Sequence, residues 1–143
     1  MVEEITYNKK ILAIILRSRY KQKGIKFFTP NSFSQQLGYM NRPKGYCIQP
    51  HVHKKNYRKV QSTNEALFIK SGMVRIDFYN QKQNYLKSKI LKRGDIILLI
   101  AGGHGFEMLK ASEMIEVKQG PYSNNKDKVV FRSVFKKKFK IKY

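Results

Sequence analysis

Hydrophobic positions in this chain recur mostly with a period of two, in short runs separated by glycine, proline and asparagine. Such alternation is typical of strands with one buried face, and no long stretch shows the 3.6-residue period of an amphipathic helix. The runs follow one another at intervals of about ten residues, which predicts roughly nine or ten short strands. This spacing indicates an all-β, antiparallel sandwich or barrel.

The clearest runs lie in the middle of the chain. The segment EALFIKSGMVRIDFYN, residues 65–80, alternates on both sides of Ser71 and Gly72 and is predicted to be a hairpin that turns there. A turn at residues 80–83 leads to a strand in YLKSKIL, and a turn at Gly94 leads to an apolar strand. The run ILAIIL is predicted to be a strand because isoleucine favours strands, with a short amphipathic helix as the alternative. Weaker strand signals come from IKFFT, QQLGYM, MIEVKQGPY and VVFRSVF.

The three histidines lie in two segments. His51 and His53 are two positions apart in GYCIQPHVHKK, residues 45–55, and His104 follows the apolar strand in LLIAGGHGFE. If residues 45–55 form a strand, both imidazoles point to one face, as joint metal ligands must. The polar stretch that follows, residues 54–64, is predicted to be a loop. The sequence therefore predicts that the fold brings these two histidine segments together around a metal.

Length and composition predict one domain, over residues 1–143. The chain is 41% hydrophobic and 13% aromatic, which is enough to bury a core. Its single cysteine, Cys47, excludes an intrachain disulfide and fits a reducing compartment. We expect Cys47 to be a buried small residue, with a role as a ligand or nucleophile as the alternative. The apolar run ILAIIL is too short to span a bilayer, so we expect a cytoplasmic protein without a membrane partner.

The net charge of +21 is the largest departure from an ordinary composition. A basic excess of this kind can attract nucleic acid or an anionic membrane surface. The lysines are spread along the chain together with many asparagine, isoleucine and tyrosine residues, however, which also fits A/T-rich codon usage. A solvated basic surface is therefore the favoured interpretation. The densest basic run, KKKFKIKY at residues 136–143, is expected to be an edge strand or a frayed tail.

Two sets of spacings resemble the motifs of the cupins, a family of small double-stranded β-helix proteins. The first family motif is glycine, five residues, His-x-His, a gap, glutamate, six residues and glycine. This chain has Gly45, His51, His53, Glu65 and Gly72 in that order and with those spacings. The gap before the glutamate is eleven residues, where the family has three or four, and is interpreted as a loop insertion.

The second family motif is glycine, five residues, Pro-x-Gly, two residues and histidine. Here Gly94 is followed by Ile100 in the place of proline, and the spacing to His104 is one residue short. The resemblance implies an antiparallel jelly-roll barrel with its core at residues 35–130. It also implies a homodimer, for which the N-terminal strands in residues 5–29 are the expected contact.

The resemblance further implies a metal site. The expected ligands of one divalent transition metal are His51, His53, His104 and Glu65, and this mixed nitrogen and oxygen set suits iron, manganese, nickel, cobalt or zinc. Glu107 is a candidate for proton transfer or for bonding a ligand imidazole, with an ordinary surface role as the alternative. The candidate substrate contacts are of two kinds. One is the cationic Arg58, with an ordinary exposed basic residue as the alternative. The others are neutral: Gln119 and Tyr122, together with Gln35, Gln36 and Tyr39.

The leading hypothesis for function is a metal-dependent enzyme of isomerase, epimerase, lyase or dioxygenase type. Its substrate is expected to be a small, polar, anionic molecule, because the resembling cupins are often associated with sugar and polysaccharide biosynthesis. The alternatives are a non-catalytic module that binds a metal and a small ligand, and a basic β-domain that binds nucleic acid, which we rank last. The chain has no phosphate-cradling glycine loop and no nucleophile-elbow serine, so nucleotide hydrolysis and acyl-enzyme chemistry are not expected.

Overall fold

The structure is a computed structural model that describes residues 1–121 and 127–133. These residues contain strands, turns and coil but no helix, so the all-β prediction is confirmed. Correspondingly, none of the described residues belongs to a helix long and apolar enough to cross a membrane. The strands are β1 (Val2–Tyr7), β2 (Lys10–Leu16), β3 (Gly24–Phe27), β4 (Gly38–Asn41), β5 (Glu65–Tyr79), β6 (Tyr85–Lys92), β7 (Ile96–Leu99) and β8 (Gly103–Lys118).

The main sheet is organised around β5. Along one edge, β5 pairs with β8 over its whole length. Along the other edge it pairs with β7 at its beginning and with β6 at its end. β7 continues the sheet to β2, and β2 pairs with β1. All of these pairings are antiparallel, and β3 and β4 form a separate two-stranded sheet.

The sheet curls into a half-barrel because β5 bends back on itself. Glu65 at its beginning pairs with Leu99, and Tyr79 at its end pairs with Gly103. The two ends of β5 therefore lie within about 25 Å of each other, because they are joined only by the short chain from Leu99 to Gly103 and two inter-strand spacings. A straight strand as long as β5 would span about 50 Å. The bend lies at Gly72, where φ is +82° and the pairing with β8 shifts register.

A cluster of buried hydrophobic side chains forms the core of the described part of the chain. Both halves of β5 contribute to it, and so do the N-terminal strands. Its members are Ile5, Leu12, Ala13, Ile15, Leu67, Ile69, Val74, Ile76, Phe78, Leu91, Ile97 and Leu99. The strands β1 and β2 are therefore part of the main core, and β1 is the last strand on its side of the described sheet. A homodimer contact through residues 5–29 stays a prediction.

Several sequence predictions are wrong in detail. The expected hairpin at residues 65–80 is one strand, because Gly72 produces a bend within β5 instead of a reversal. Residues 45–55 form no strand, and Cys47 is exposed instead of buried. Pro43 and Pro50 remove backbone donors there, and the apolar side chains of the segment find no surface to pack on. Likewise, residues 129–133 form no strand, and the rest of that predicted strand, with the tail at 136–143, lies outside the described residues.

An ion-pair network ties the first strands to the turn between β6 and β7. Arg17 Nε lies 2.6 Å from a carboxylate oxygen of Glu3, and Arg17 Nη1 lies 2.9 Å from Asp95. Arg17 Nη1 also donates to the carbonyl oxygen of Ile90, and Lys89 approaches Glu3 to 2.6 Å. Burial alone would raise the pKa of Glu3. Hydrogen bonds from Arg17 and Lys89 outweigh burial, so the pKa of Glu3 lies below its ordinary value.

Candidate functional site

The curl of the sheet brings Glu65 and His104 into contact. Glu65 begins β5 and His104 is the second residue of β8, where it pairs with Phe78 at the far end of β5. The two side chains meet with 3.0 Å between Oε2 of the glutamate and Nε2 of the histidine. They are 20% and 30% exposed, so the pair is half-buried and still accessible to a small molecule. This is the one contact among the four predicted metal ligands that joins two distant segments of the described chain.

The imidazole stabilises the ionised form of Glu65. Its hydrogen bond is the main reason that the pKa of Glu65 lies below the ordinary value, and partial burial opposes this effect. The positive charges of Lys118 and Lys128 lower the pKa further. Glu65 is therefore a carboxylate at neutral pH, which is the form that binds cations and accepts protons.

Asn64 holds the start of β5 in place, and the sequence analysis did not identify it. Its side chain is buried, donating from Nδ2 to the carbonyl oxygen of Ile100 at 3.0 Å and accepting from the hydroxyl of Ser34 at 2.9 Å. Its own carbonyl oxygen accepts the amide of Gln119 at 3.0 Å. These bonds connect β5 to the segments before β8 and after it, so they position the neighbouring Glu65. Nothing in the local sequence distinguishes this asparagine from an ordinary loop residue.

The other two predicted ligands do not join this pair. His51 and His53 are exposed and lie in the coil between β4 and β5, with their rings in edge-to-face contact at 5.2 Å. His51 Nδ1 lies 2.9 Å from the carbonyl oxygen of Gln49. Within residues 1–121 and 127–133, no three histidine, cysteine, aspartate or glutamate side chains are grouped so as to hold a metal ion. The predicted ligands thus form two separate pairs.

Comparisons with protein-family models, with curated proteins and with solved structures found no match for this chain. The resemblance to cupins therefore rests on the spacing of its motif residues. The half-barrel and the Glu65–His104 contact are compatible with that resemblance, but they do not distinguish it from other curled antiparallel sheets.

Glu107 belongs to a different cluster from the one predicted. It lies three positions after His104 on β8, so its side chain points to the opposite face of the sheet. There it contacts Arg75 at 2.7 Å, and Arg75 also forms a two-bond ion pair with Asp77. Desolvation would lower the pKa of Arg75, but its bonds to Asp77 and Glu107 raise it. Arg75 and Asp77 are two apart on one strand, and that spacing of opposite charges is a signal that could have identified the pair.

Two of the predicted substrate contacts, Arg58 and Gln36, line one cleft, and Gln119 is not among its lining residues. Arg58 is exposed and lines a cleft of about 600 Å³ near β3, together with Lys59 and several polar residues. Gln119 follows β8, where its backbone amide bonds to Asn64. Tyr122 lies outside the described residues. The cleft and the Glu65–His104 pair are nevertheless linked, because Ser34 lines the cleft and bonds to Asn64.

Replacing Glu65 by glutamine is expected to remove a pH-dependent part of the stability. The pKa of Glu65 is lower in the folded than in the unfolded protein, so its ionisation stabilises the fold at pH values above the unfolded pKa. This stabilisation is lost as the pH falls through the folded pKa. The stability difference between wild type and Glu65→Gln should therefore be largest near pH 7 and shrink below about pH 4. Urea unfolding at both pH values measures it.

Glu113→Gln is the matched control for this pH dependence. Glu113 is exposed, and its ion pair with Lys70 is long, at 3.8 Å. Its substitution should change stability by less than about 0.5 kcal/mol at either pH. A Glu65→Gln deficit that grows on acidification would contradict the assigned direction of the Glu65 pKa.

Proposed function

We propose that this protein is a metal-binding cupin whose Glu65–His104 pair is the preformed half of a site for one divalent transition metal. The observation that carries the proposal is the 3.0 Å contact between these two side chains, which come from segments 39 positions apart in the sequence. Such long-range convergence of a carboxylate and an imidazole on an accessible part of a fold is the usual arrangement of a functional site.

His51 and His53 are proposed to complete the ligand set. As they stand in this structure, they do not fit a common coordination sphere with the pair, so the coil between β4 and β5 must move for a metal to bind all four. Chain length permits this, because the eleven residues between His53 and Glu65 can extend over about 36 Å. Two or three imidazoles and one carboxylate suit iron, manganese, nickel, cobalt or zinc.

The proposed activity is that of an enzyme acting on a small polar substrate by isomerisation, epimerisation, elimination or dioxygenation. The metal would supply a Lewis acid when bound. The protein's own contribution is a Glu65 carboxylate that is kept ionised beside the His104 imidazole, so that both are ready to bind one cation. The basic surface supports an anionic substrate, such as a sugar-derived acid, because it raises the local concentration of anions. A non-catalytic metal-binding module would share the site but would lack turnover.

Metal titration tests this proposal. Calorimetric titration of the purified, chelator-treated protein with cobalt or zinc should reveal one site, and His104→Ala should weaken it at least about tenfold. The double variant His51→Ala/His53→Ala should weaken it by a similar factor, since it removes two ligands. Lys54→Ala, in the same coil but without a ligand, is the control and should leave the affinity unchanged.

The outcomes separate the components of the proposal. Binding that is lost in His104→Ala but kept in the two-histidine variant would mean that the coil contributes no ligand. Equal affinity in the wild type and in His104→Ala would contradict the proposed site altogether.

A second candidate function is metal-free proton transfer by His104. The same hydrogen bond favours it, because a carboxylate that accepts from one imidazole nitrogen orients the ring and leaves the other nitrogen to exchange a proton. Chelator-treated protein that takes up no metal, yet shows a His104-dependent turnover of a sugar-derived acid, would favour this function over the metal site.

A further inference from the structure

One long part of the chain is entirely free of negative side chains. Residues 5–64 contain thirteen lysine and arginine residues and no aspartate or glutamate, because the acidic residues occur only at residues 3–4 and from residue 65 onwards. Of these thirteen cations, Arg17 is paired with Glu3 and Asp95, while Asp77 and Glu107 are bound to Arg75 of the main sheet. The positive charge of residues 5–64 is therefore little offset by nearby carboxylates.

The coil between β4 and β5, residues 42–64, concentrates this charge on the surface. Its six cationic side chains are all on exposed residues: Arg42, Lys44, Lys54, Lys55, Arg58 and Lys59. Between them, Tyr46 and Tyr57 expose 51% and 89% of their surface. The guanidinium of Arg42 lies over the Tyr46 ring, 4.5 Å from its centroid. Cations alternating with open aromatic faces are the composition that binds single-stranded nucleic acid.

The cleft beside this coil has the chemistry of a site for a base and its phosphate. Phe27 and Phe33 supply its aromatic faces, and Arg58 and Lys59 supply its charge. Hydroxyl and amide groups complete the lining, from Asn31, Ser32, Ser34 and Gln36. Its volume of about 600 Å³ lies within the range of clefts that take one small organic molecule.

Phe27 is presented as a platform rather than as a core residue. It is 54% exposed although it lies on β3. Its ring lies so close over Gly38 of β4 that a Cβ atom at position 38 would be 2.8 Å from it. The absence of a side chain at Gly38 therefore leaves room for the ring beside β4, while more than half of Phe27 stays exposed. A solvent-exposed phenylalanine held in this way loses little freedom when a base stacks on it.

We infer that this cleft and residues 42–64 together bind single-stranded nucleic acid. Phe27 stacks on a base, Arg58 and Lys59 contact the adjoining phosphates, and the remaining cations of the coil follow the strand. A single strand is favoured over a duplex because stacking on an aromatic side chain requires an unpaired base. The contacts of Phe27, Arg58 and Lys59 use neither Glu65 nor a histidine, whereas His51 and His53 of the proposed metal site lie in the same coil.

The experiment is fluorescence anisotropy with a labelled oligouridylate of about twelve nucleotides and the corresponding oligothymidylate. Affinity should fall steeply between about 50 and 200 mM salt. Phe27→Ala and the double variant Arg58→Ala/Lys59→Ala should each weaken binding at least about fivefold, the loss of one stacked base or of two phosphate contacts. Thermal unfolding of each variant verifies that the exposed substitutions leave the fold intact.

A charge-matched control distinguishes the site from general electrostatic attraction. Lys92→Ala/Arg93→Ala removes two exposed cations, one at the end of β6 and one in the turn that follows, and should weaken binding less than about twofold. Equal losses in the two double variants would overturn the inference. So would binding of a duplex or of phosphatidylserine vesicles as tight as that of the single strand. Saturable binding of uridine monophosphate at comparable affinity would also overturn it, by assigning the cleft to a free nucleotide.

Discussion

Replacing Gly72 by alanine is expected to cost about 3–5 kcal/mol of folding free energy, which approaches the whole stability of a small domain. Gly72 has φ of +82°, and an alanine in that conformation costs about 1–2 kcal/mol. The added Cβ would also lie 2.2 Å from both the carbonyl oxygen of Ala111 and the hydroxyl of Ser112. Relieving that overlap requires movement of β8 and adds at least about 2 kcal/mol.

Urea unfolding measures this loss, and Gly45→Ala is its control. Gly45 has nearly the same φ, +83°, but no atom lies within 4 Å of the position that its Cβ would occupy. Its substitution should therefore cost only the conformational part, about 1–2 kcal/mol. The difference between the two variants measures how tightly β8 packs against the bend. Similar losses in both would mean that this packing contributes little to the fold.

Replacing Arg17 by methionine is expected to cost about 2–4 kcal/mol. Methionine keeps much of the side-chain volume but removes the guanidinium that bonds Glu3, Asp95 and the carbonyl oxygen of Ile90. Removing one member of a buried ion pair destabilises the folded protein, because the other charge stays shielded from water without its partner. Asp95 is 4% exposed and retains only its backbone donors, from Ser18 and Lys92.

The pH dependence of this variant distinguishes an ionic from a packing contribution. The pKa of Glu3 is lower in the folded than in the unfolded protein, so its ion pair with Arg17 stabilises the fold at pH values above the unfolded pKa. This stabilisation is lost as the pH falls through the folded pKa. The deficit of Arg17→Met should therefore shrink below about pH 4. Arg19→Met, two residues further and exposed, should change stability by less than about 0.5 kcal/mol. Equal deficits in the two variants would contradict the assigned network.

Local pattern predicted most of the strands correctly. The runs that became β2, β6 and β7 have apolar side chains that the sheet buries. The turns at residues 80–83 and at Gly94 precede β6 and β7 as expected. Alternation alone wrongly predicted a strand in GYCIQPHVHKK, because a strand also needs a partner strand and a surface to cover. Ile48 and Val52 are 59% and 91% exposed, so that segment has neither.

The candidate site was predictable only in part. Motif spacing selected Glu65 and His104, and the two residues are in contact. The same spacing assigned His51 and His53 to that site, where this structure does not bring them. Asn64 was not foreseen, and Arg58 and Gln36 were the cleft residues that the sequence indicated as ligand contacts, because the rest depends on residues that are distant in sequence and meet only in the folded chain.

The sequence by itself determined the all-β class, since a period of two can bury an apolar face only on strands. It also determined the unbalanced positive charge of residues 5–64, which no folding changes. Tertiary structure alone decided whether Gly72 ends a strand or bends one. A glycine with positive φ is compatible with both, and the choice depends on the partner that β8 provides. That bend returns Glu65 to His104, so the contact at the candidate site follows from long-range pairing.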